Sequence, residues 1–232
     1  KSPLLSAVAL TEGVDMANSA FNPTSVSITA SEVGLMVTPT DVLVGSATLG
    51  LPYFVGELGK AIGAKKDVDI AAHGASATGS VGTSGSDMTE TNALEARYKI
   101  NEGNGDGAML FGALHPVQLF DFQKDIKDSG GAIWGATAGP NEELPFDQMY
   151  QYGVIWISTI AVPTANAGAD RAGFVAPIGD SCGIALVEVR DVQVEAQRDA
   201  SLRATELVGT DDYGTGIPNP AANGIIAIIT DA

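Results

Sequence analysis

The segment VQVEAQRDASLRA, residues 192–204, decides the fold that we expect for this chain of 232 residues. Its even-numbered positions are apolar except for Arg198, whereas every odd-numbered position is polar. This period of two is typical of a β-strand, in which successive side chains point to opposite faces. At about 3.3 Å per residue, one strand of this length spans about 43 Å. A compact chain of this size is only about 45 Å across, so the segment predicts an elongated or plate-like molecule.

Towards the amino terminus, residues 7–40 contain two runs in which apolar and polar residues alternate. The first run includes Val8 and Leu10, and the second extends over residues 26–37. Two alternating runs in succession predict a β-hairpin.

Helical spacing and short apolar runs predict a mixture of helices and strands in the rest of the chain. Gly, Ser, Ala and Thr dominate residues 74–86, which favours a loop. The predicted helices are 51–72 behind Pro52, one that begins with a capping box of Asp87 and Glu90, and one behind Pro116 that buries Leu119, Phe122 and Ile126. The predicted strands are 109–114, 154–160, one that begins at Ile184, and 225–229.

The charge of the chain limits the class of partner. Asp and Glu number 28 and Lys and Arg number 12, which gives a formal net charge of −16. A surface this acidic repels phosphate, so a sequence-specific nucleic-acid binder is disfavoured and any contact with DNA is expected to be loose. No apolar run reaches the roughly 18 to 20 residues of a spanning helix, so no membrane contact is expected.

Metal and cofactor chemistry also find little support in the sequence. Cys182, His73 and His115 are the only cysteine and histidines, and a structural zinc site typically needs four such ligands. The glycine-rich residues 103–107 follow a predicted helix and read as a turn rather than a phosphate or calcium loop. We therefore predict no metal and no cofactor. Lys65 and Lys66 are expected on a solvated helix face, His115 with Pro116 at a helix entry, and Cys182 in an apolar interior.

Two short stretches resemble the catalytic segments of chymotrypsin-like serine proteases. Residues 179–183 (GDSCG) are similar to the nucleophile loop of that family, which would make Ser181 the nucleophile, and residues 71–73 (AAH) are similar to its histidine segment. Cys182 stands where that family has glycine, and one cysteine cannot form the family's disulfides. A glycine-serine turn and a histidine near a helix end are the simpler interpretation. Catalytic residues are therefore not predicted, and the protease stays an alternative.

The connection between the two runs of the predicted hairpin is unusually apolar. Residues 13–24 contain Val14, Met16 and Phe21 and are too long for a tight turn. Large apolar side chains on an exposed loop indicate a contact surface, so we predict that these three side chains pack against a neighbouring subunit. The sequence thus favours assembly over catalysis.

The order of the predicted elements resembles that of the major capsid proteins of tailed bacteriophages, the Hong Kong 97-like fold. That order is an arm with a hairpin, a long helix, a mixed α/β region, a very long strand and a final strand. Several phrases resemble this family as well: residues 24–42 with VSIT, GLMV and TPTD, residues 61–72 with KKDVDI, LHP at 114–116 with Gln118 and Leu119, and residues 189–213 with Arg198-Asp199 and Tyr213-Gly214.

This resemblance implies an α+β Hong Kong 97-like capsid fold with an extended hairpin loop and a spine helix. The expected division of the chain is an N-terminal arm remnant and extended loop in residues 1–41, a peripheral domain with the spine helix and long strands in 42–76 and 187–212, and an axial α/β domain in 77–186 and 213–232.

The resemblance also implies a structural protein rather than an enzyme. It would self-assemble into hexamers and pentamers of an icosahedral shell that encloses the double-stranded DNA of a tailed phage, so its location would be the virion. Scaffolding, portal and decoration proteins are expected further partners. Because a motor drives DNA into such a shell, the shell need not attract DNA, which agrees with the acidic charge. An encapsulin compartment, which uses the same fold, is the nearest alternative.

Overall fold

The computed structural model consists of helices and strands arranged about two β-sheets. It describes residues 25–46, 50–104, 109–130, 148–179, 182–218 and 224–231.

Four α-helices lie within these ranges, and the longest of them is the predicted spine helix. That helix begins one residue before Pro52, which tolerates the first turn because its missing N–H would have no partner there. The predicted helix 51–72 is confirmed and is three residues longer. The helices are α1 (Asp41–Ser46), α2 (Leu51–Ala75), α3 (Glu90–Asn104) and α4 (Pro116–Asp128).

The starts of α3 and α4 differ in how well the sequence predicted them. The capping box of Asp87 with Glu90 is wrong, because α3 begins at Glu90 and Thr89 Oγ1 accepts from the Asn92 N–H at 3.4 Å. The entry to α4 is confirmed, since His115 Nδ1 accepts from the Val117 N–H at 3.4 Å. In both places a polar side chain next to the helix start accepts from one of its free N–H groups.

The described strands form a three-stranded sheet and a larger mixed sheet. The strands predicted at 109–114, 154–160 and 225–229 correspond to β3, β5 and β10. Five others, β2, β4, β6, β7 and β9, are not in the sequence prediction. The strands are β1 (Ser31–Val37), β2 (Gly79–Val81), β3 (Met109–Leu114), β4 (Gln148–Gln151), β5 (Val154–Ser158), β6 (Thr164–Ala165), β7 (Asp170–Ile178), β8 (Ala185–Asp199), β9 (Ala204–Gly216) and β10 (Ile226–Asp231).

The predicted single strand over residues 192–204 is wrong, because the chain reverses direction inside it. Strand β8 ends at Asp199, whose Oδ1 accepts from the N–H groups of Ser201 at 2.8 Å and Leu202 at 3.1 Å. Arg203 takes a left-handed backbone conformation with φ of 50°, and β9 then returns antiparallel to β8. Aspartate commonly closes such turns through its side chain. The alternation of apolar and polar residues continues through the turn, so the sequence pattern did not reveal the reversal of the chain.

The three-stranded sheet has the order β1, β9, β8, and all of its pairs are antiparallel. The second run of the predicted hairpin is confirmed as β1, and its partner within the described residues is β9. Val8 and Leu10 of the first run lie outside the described residues. Strand β9 is the central strand of this sheet, and within the described residues β8 and β1 are its two edges.

Helix α2 packs across this sheet and also reaches the mixed sheet. Near its start, buried Leu58 and Ile62 lie over Gly209 of β9, where a Cβ atom would come within 3.2 Å of Ile62 Cδ1. Near its end, Gly74 lies so close to Phe174 of β7 that a Cβ atom would be 2.6 Å from the ring. The glycines therefore permit the close approach by which one helix ties the two sheets together.

The mixed sheet has the order β2, β10, β7, β3, β5, β4, with β6 beside β7. Helices α3 and α4 cover one of its faces, where their apolar side chains and those of the strands form the larger core. The end of α2 lies on the opposite face, against a second cluster that contains Phe174. The prediction that Leu119, Phe122 and Ile126 share a buried helix face is confirmed, since all three are fully buried.

Candidate assembly surface

The long hairpin of β8 and β9 is joined to α2 by a partly buried ion cluster. Lys66 Nζ lies 2.7 Å from Asp211 Oδ2 and 2.5 Å from Glu188 Oε1. The Lys66 side chain is only 14% exposed and that of Asp211 is completely buried. The prediction of a solvated Lys66 is therefore wrong, because β9 folds back beneath α2 and places Asp211 opposite it. Both carboxylates raise the pKa of Lys66, Asp211 the more strongly, so the ammonium stays charged.

Tyr213 extends this cluster along β9. Its hydroxyl donates to Asp69 Oδ2 at 2.7 Å, and its ring centroid lies 5.3 Å from Lys66 Nζ, within the range of a cation–π contact. Burial, followed by the hydrogen bond to Asp69, raises the pKa of Tyr213 to about 12, so the phenol is neutral and acts as a donor. Lys65 also pairs with Asp69. Helix α2 thus places charged groups against both strands of the hairpin.

A second group of contacts attaches the tip of the hairpin to residues 39–41. Arg198 donates two hydrogen bonds to Asp41, from Nη1 to Oδ1 at 2.5 Å and from Nη2 to Oδ2 at 2.6 Å. The hydrogen bond from Arg198 lowers the pKa of the Asp41 carboxyl. Backbone bonds from Thr205 N to Pro39 O at 3.1 Å and from Asp41 N to Arg203 O at 2.8 Å close the joint. The hairpin is therefore fixed at both its middle and its tip.

Gln118 forms a third joint, between α4 and the mixed sheet. It is completely buried, and its Oε1 accepts from the His115 N–H at 3.1 Å. Its Nε2 lies 3.1 Å from Arg171 O, 3.2 Å from Ile228 O and 2.8 Å from Thr230 Oγ1. One amide side chain thereby satisfies polar groups of α4, β7 and β10, which fixes the helix on the sheet.

The catalytic alternative finds no assembled site among the described residues. His73 Nε2 lies 3.0 Å from Thr215 Oγ1 on β9, while Ser181 lies outside the described residues. Cys182 is a partly exposed free thiol rather than the buried one that we predicted. In the described part of the chain, no group of three or more His, Cys, Asp or Glu side chains could hold a metal ion.

Large apolar side chains are exposed on both sheets and on every helix. Ile160 is 83% exposed and Val42 is 77% exposed, and several others are about half exposed. Exposed apolar side chains of this size are candidates for contacts with another molecule. The exposed large apolar residues include Leu35 and Met36 on β1, Tyr53 and Val68 on α2, Leu94 and Tyr98 on α3, Val117 and Phe120 on α4, and Leu186, Val187 and Val189 on β8.

The three contact residues that the sequence predicted, Val14, Met16 and Phe21, lie outside the described residues. Their packing against a neighbouring subunit stays a prediction. The sequence analysis did not single out the exposed apolar residues on α3 and α4, because helical spacing alone does not tell which side of a helix faces the core: Leu94 and Tyr98 are exposed. In the structure Ala93, Ala96 and Ile100 face the core instead. No helix among the described residues is long and apolar enough to cross a membrane.

Comparison with known proteins gives matches in structure only. No protein-family model matches the sequence, and no curated protein matches it. The head structure of Helicobacter pylori bacteriophage KHP40 aligns with a TM-score of 0.69 over 99% of this chain and 82% of the other, at 8% sequence identity. The capsid structure of the cyanophage P-SCSP1u aligns with a TM-score of 0.64 over 99% and 81%, at 16% identity.

One encapsulin is also similar to this chain. The SrpI encapsulin of Synechococcus elongatus aligns with a TM-score of 0.64 over 87% of this chain and 74% of the other, at 9% identity. Its coverage is lower than that of the phage proteins. The chain therefore has the α+β fold of tailed-phage capsid proteins, as the sequence predicted.

Proposed function

We propose that this chain is a structural major capsid protein of a tailed phage. It assembles into hexamers and pentamers of an icosahedral shell around double-stranded DNA, and it acts in the virion without catalytic activity. The observation that carries the proposal is the similarity to phage capsid proteins over 99% of the chain. Both sheets, the long hairpin and α2 take part in it. The exposed apolar side chains on every helix supply surface for contacts between subunits.

The proposed division of the chain into domains follows the two sheets. The peripheral domain, 42–76 and 187–212, would hold α2 and most of the long hairpin. The axial domain, 77–186 and 213–232, would hold the mixed sheet with α3 and α4. Residues 1–41 would form the arm and the extended loop that reaches a neighbouring subunit. The Lys66 cluster supports this arrangement, because it makes α2 and the hairpin one unit.

The charge of the chain bears on its partners. With a net charge of −16, the inner surface of a shell would repel packaged DNA rather than bind it, so contact with the genome is loose and non-specific. Scaffolding, portal and decoration proteins complete the proposed set of partners.

Electron microscopy of the purified protein tests the proposal. We expect closed icosahedral shells, whereas a chymotrypsin-like protease would stay a dispersed small particle. The contents of shells purified from the native source then separate a phage capsid, which holds double-stranded DNA, from an encapsulin, which holds a cargo enzyme. The SrpI similarity is the observation that keeps the encapsulin as the second candidate. Particles that never close would contradict both shell functions.

The extended loop gives a second test of assembly. Replacing Met16 and Phe21 by serine removes apolar surface that burial would stabilise at about 25 cal/mol per Å², which is several kcal/mol per subunit for large side chains. We expect the double variant to fold like the parent but to yield few shells, measured by sedimentation and microscopy. A matched variant with serine at the exposed Leu202 of the hairpin turn controls for loss of surface apolarity. Normal shell yield from the double variant would refute the loop contact.

A further inference from the structure

Helix α4 carries a basic and apolar ridge in a chain that is otherwise strongly acidic. Phe120, Lys124 and Lys127 follow one another at spacings of four and three residues, so they share one side of the helix, and all three are exposed. Val117 is exposed next to them. Phe120 is 54% exposed although it is a large aromatic side chain. This set is called the α4 ridge below.

The acidic residues of α4 lie on a neighbouring side of the helix. Asp121, Asp125 and Asp128 repeat the spacing of the α4 ridge one residue later. Asp125 Oδ2 accepts from the Glu90 N–H of α3 at 2.7 Å, so this side faces α3. The α4 ridge lies about 100° around the helix axis from this side, and its side chains are exposed, so it faces the outside of the helical layer.

The two lysines of the α4 ridge form no ion pair within the described part of the chain, although the charge of Lys124 acts on the Asp121 carboxyl of the same helix. Lys60, Lys65, Lys66 and Lys99 each have a carboxylate partner within ion-pair distance. Among the described residues, neither Lys124 nor Lys127 has one. In a chain with more than twice as many acidic as basic residues, free lysines beside an exposed phenylalanine point to an acidic and apolar partner surface.

Helix α3 carries a surface of that kind. Thr91, Glu95, Tyr98 and Glu102 follow one another at spacings of four, three and four residues, and all are exposed, as is Leu94 beside them. Tyr98 is 62% exposed. Lys99 pairs with Glu95 at 2.9 Å and donates to Ser80 O. Glu102 has no ion-pair partner among the described residues. These five residues are called the α3 ridge below.

The geometry points to a second copy of this chain as the partner, with the α4 ridge of one subunit bound to the α3 ridge of the next. Both helices lie on one face of the mixed sheet, and the two ridges differ in charge. A contact between two different surfaces of identical subunits is heterologous, and it closes into a ring when the rotation permits. This inference rests on the proposed function, because it names the contact that forms the hexamers and pentamers.

Charge reversal tests the contact directly. The first variant, Lys124→Glu with Lys127→Glu, places acidic residues against an acidic ridge, and the second, Glu95→Lys with Glu102→Lys, places basic residues against a basic ridge. Like charges across an interface repel each other, so we expect each variant alone to lose more than about tenfold of its assembled fraction. A chain that combines all four substitutions restores opposite charges, and we expect it to assemble like the parent.

A mixture of the first and second variants gives the sharpest result. Each contact is attractive only when the two variants alternate around the ring. Six subunits can alternate and five cannot, so we expect the equimolar mixture to recover six-membered rings without five-membered rings or closed shells. Electron microscopy and analytical ultracentrifugation measure both. The control Lys60→Glu reverses one exposed charge on α2 and should assemble normally.

The outcomes separate this inference from the proposed function. All variants must first melt at the temperature of the parent, which shows that they fold. If the first and second variants form normal shells, the α3–α4 contact is wrong while the capsid function stands. If both fail and the combined chain also fails, the ridges do not bind each other. A net-charge effect would impair only the more acidic first variant and would likewise overturn the contact. If the parent chain itself forms no ring or shell, the proposed function fails.

Discussion

Replacing Lys66 by methionine is expected to lower the free energy of unfolding by about 3–5 kcal/mol, the usual cost of removing one partner of a buried ion pair. Methionine keeps most of the length of the side chain, so packing changes little. The completely buried Asp211 carboxylate then loses the ammonium at 2.7 Å, and its Oδ1 has no other donor among the described residues. Urea unfolding of the unassembled protein, followed by tryptophan fluorescence, measures the loss.

Two controls identify the cause of that loss. Adding Asp211→Asn to Lys66→Met removes the uncompensated charge, so the double variant should recover much of the stability. Lys60→Met breaks the pair with Glu57 on the exposed side of the same helix and should change stability by less than about 1 kcal/mol. If Lys66→Met unfolds at the urea concentration of the parent, the cluster does not hold the hairpin to α2.

The sequence could not reveal this cluster, although it contains all of its members. Helical spacing tells which residues of α2 share a face, but it does not tell what lies opposite that face. The partners of Lys66, Glu188 and Asp211, follow it by more than a hundred residues and lie on two different strands. Polar residues are mostly exposed, so a lysine on a helix is expected in solvent unless a partner is known.

The short sequence segments on which the family resemblance rested have structural roles that the sequence alone did not show. TPTD and Arg198-Asp199 meet at the tip of the hairpin, where Arg198 binds Asp41. KKDVDI and Tyr213-Gly214 meet in the Lys66 cluster. Gln118, behind LHP, ties α4 to the mixed sheet. Each of these segments is weak evidence for the family by itself, because the residues that it contacts lie in another part of the chain.

Local patterns predicted the helices better than the sheets. Pro52 and the helical spacing behind it predicted α2, and the apolar spacing behind Pro116 predicted α4, since a helix satisfies its hydrogen bonds within one segment. Strand β7 was missed although it is nearly buried throughout, because strand pairing depends on residues far along the chain. The mixed sheet contains both parallel and antiparallel strand pairs. Which of the two forms depends on how the chain connects the strands, and no single segment reveals that.

The core of the mixed sheet also depends on a close approach between Gly112 of β3 and Trp156 of β5, which are paired in parallel strands. A Cβ atom on Gly112 would lie 2.4 Å from Trp156 Cε3, well inside van der Waals contact. The indole has no room to move away. It is completely buried, packs edge-on against Phe122 at 5.4 Å between centroids, and donates from Nε1 to Gln151 O at 3.2 Å.

Substituting Gly112→Ala is therefore expected to lower the free energy of unfolding by about 3 kcal/mol, the upper part of the usual range for overpacking a core. The matched control is Gly63→Ala in α2, where a Cβ atom meets nothing within 4 Å. There alanine should raise stability by about 1 kcal/mol, because glycine is a poor helix former. Urea unfolding of the two unassembled variants should thus move the midpoint in opposite directions from the parent. If Gly112→Ala were as stable as the parent, the indole would have a second position in the core, and the tight fit between β3 and β5 would not be what fixes this face of the sheet.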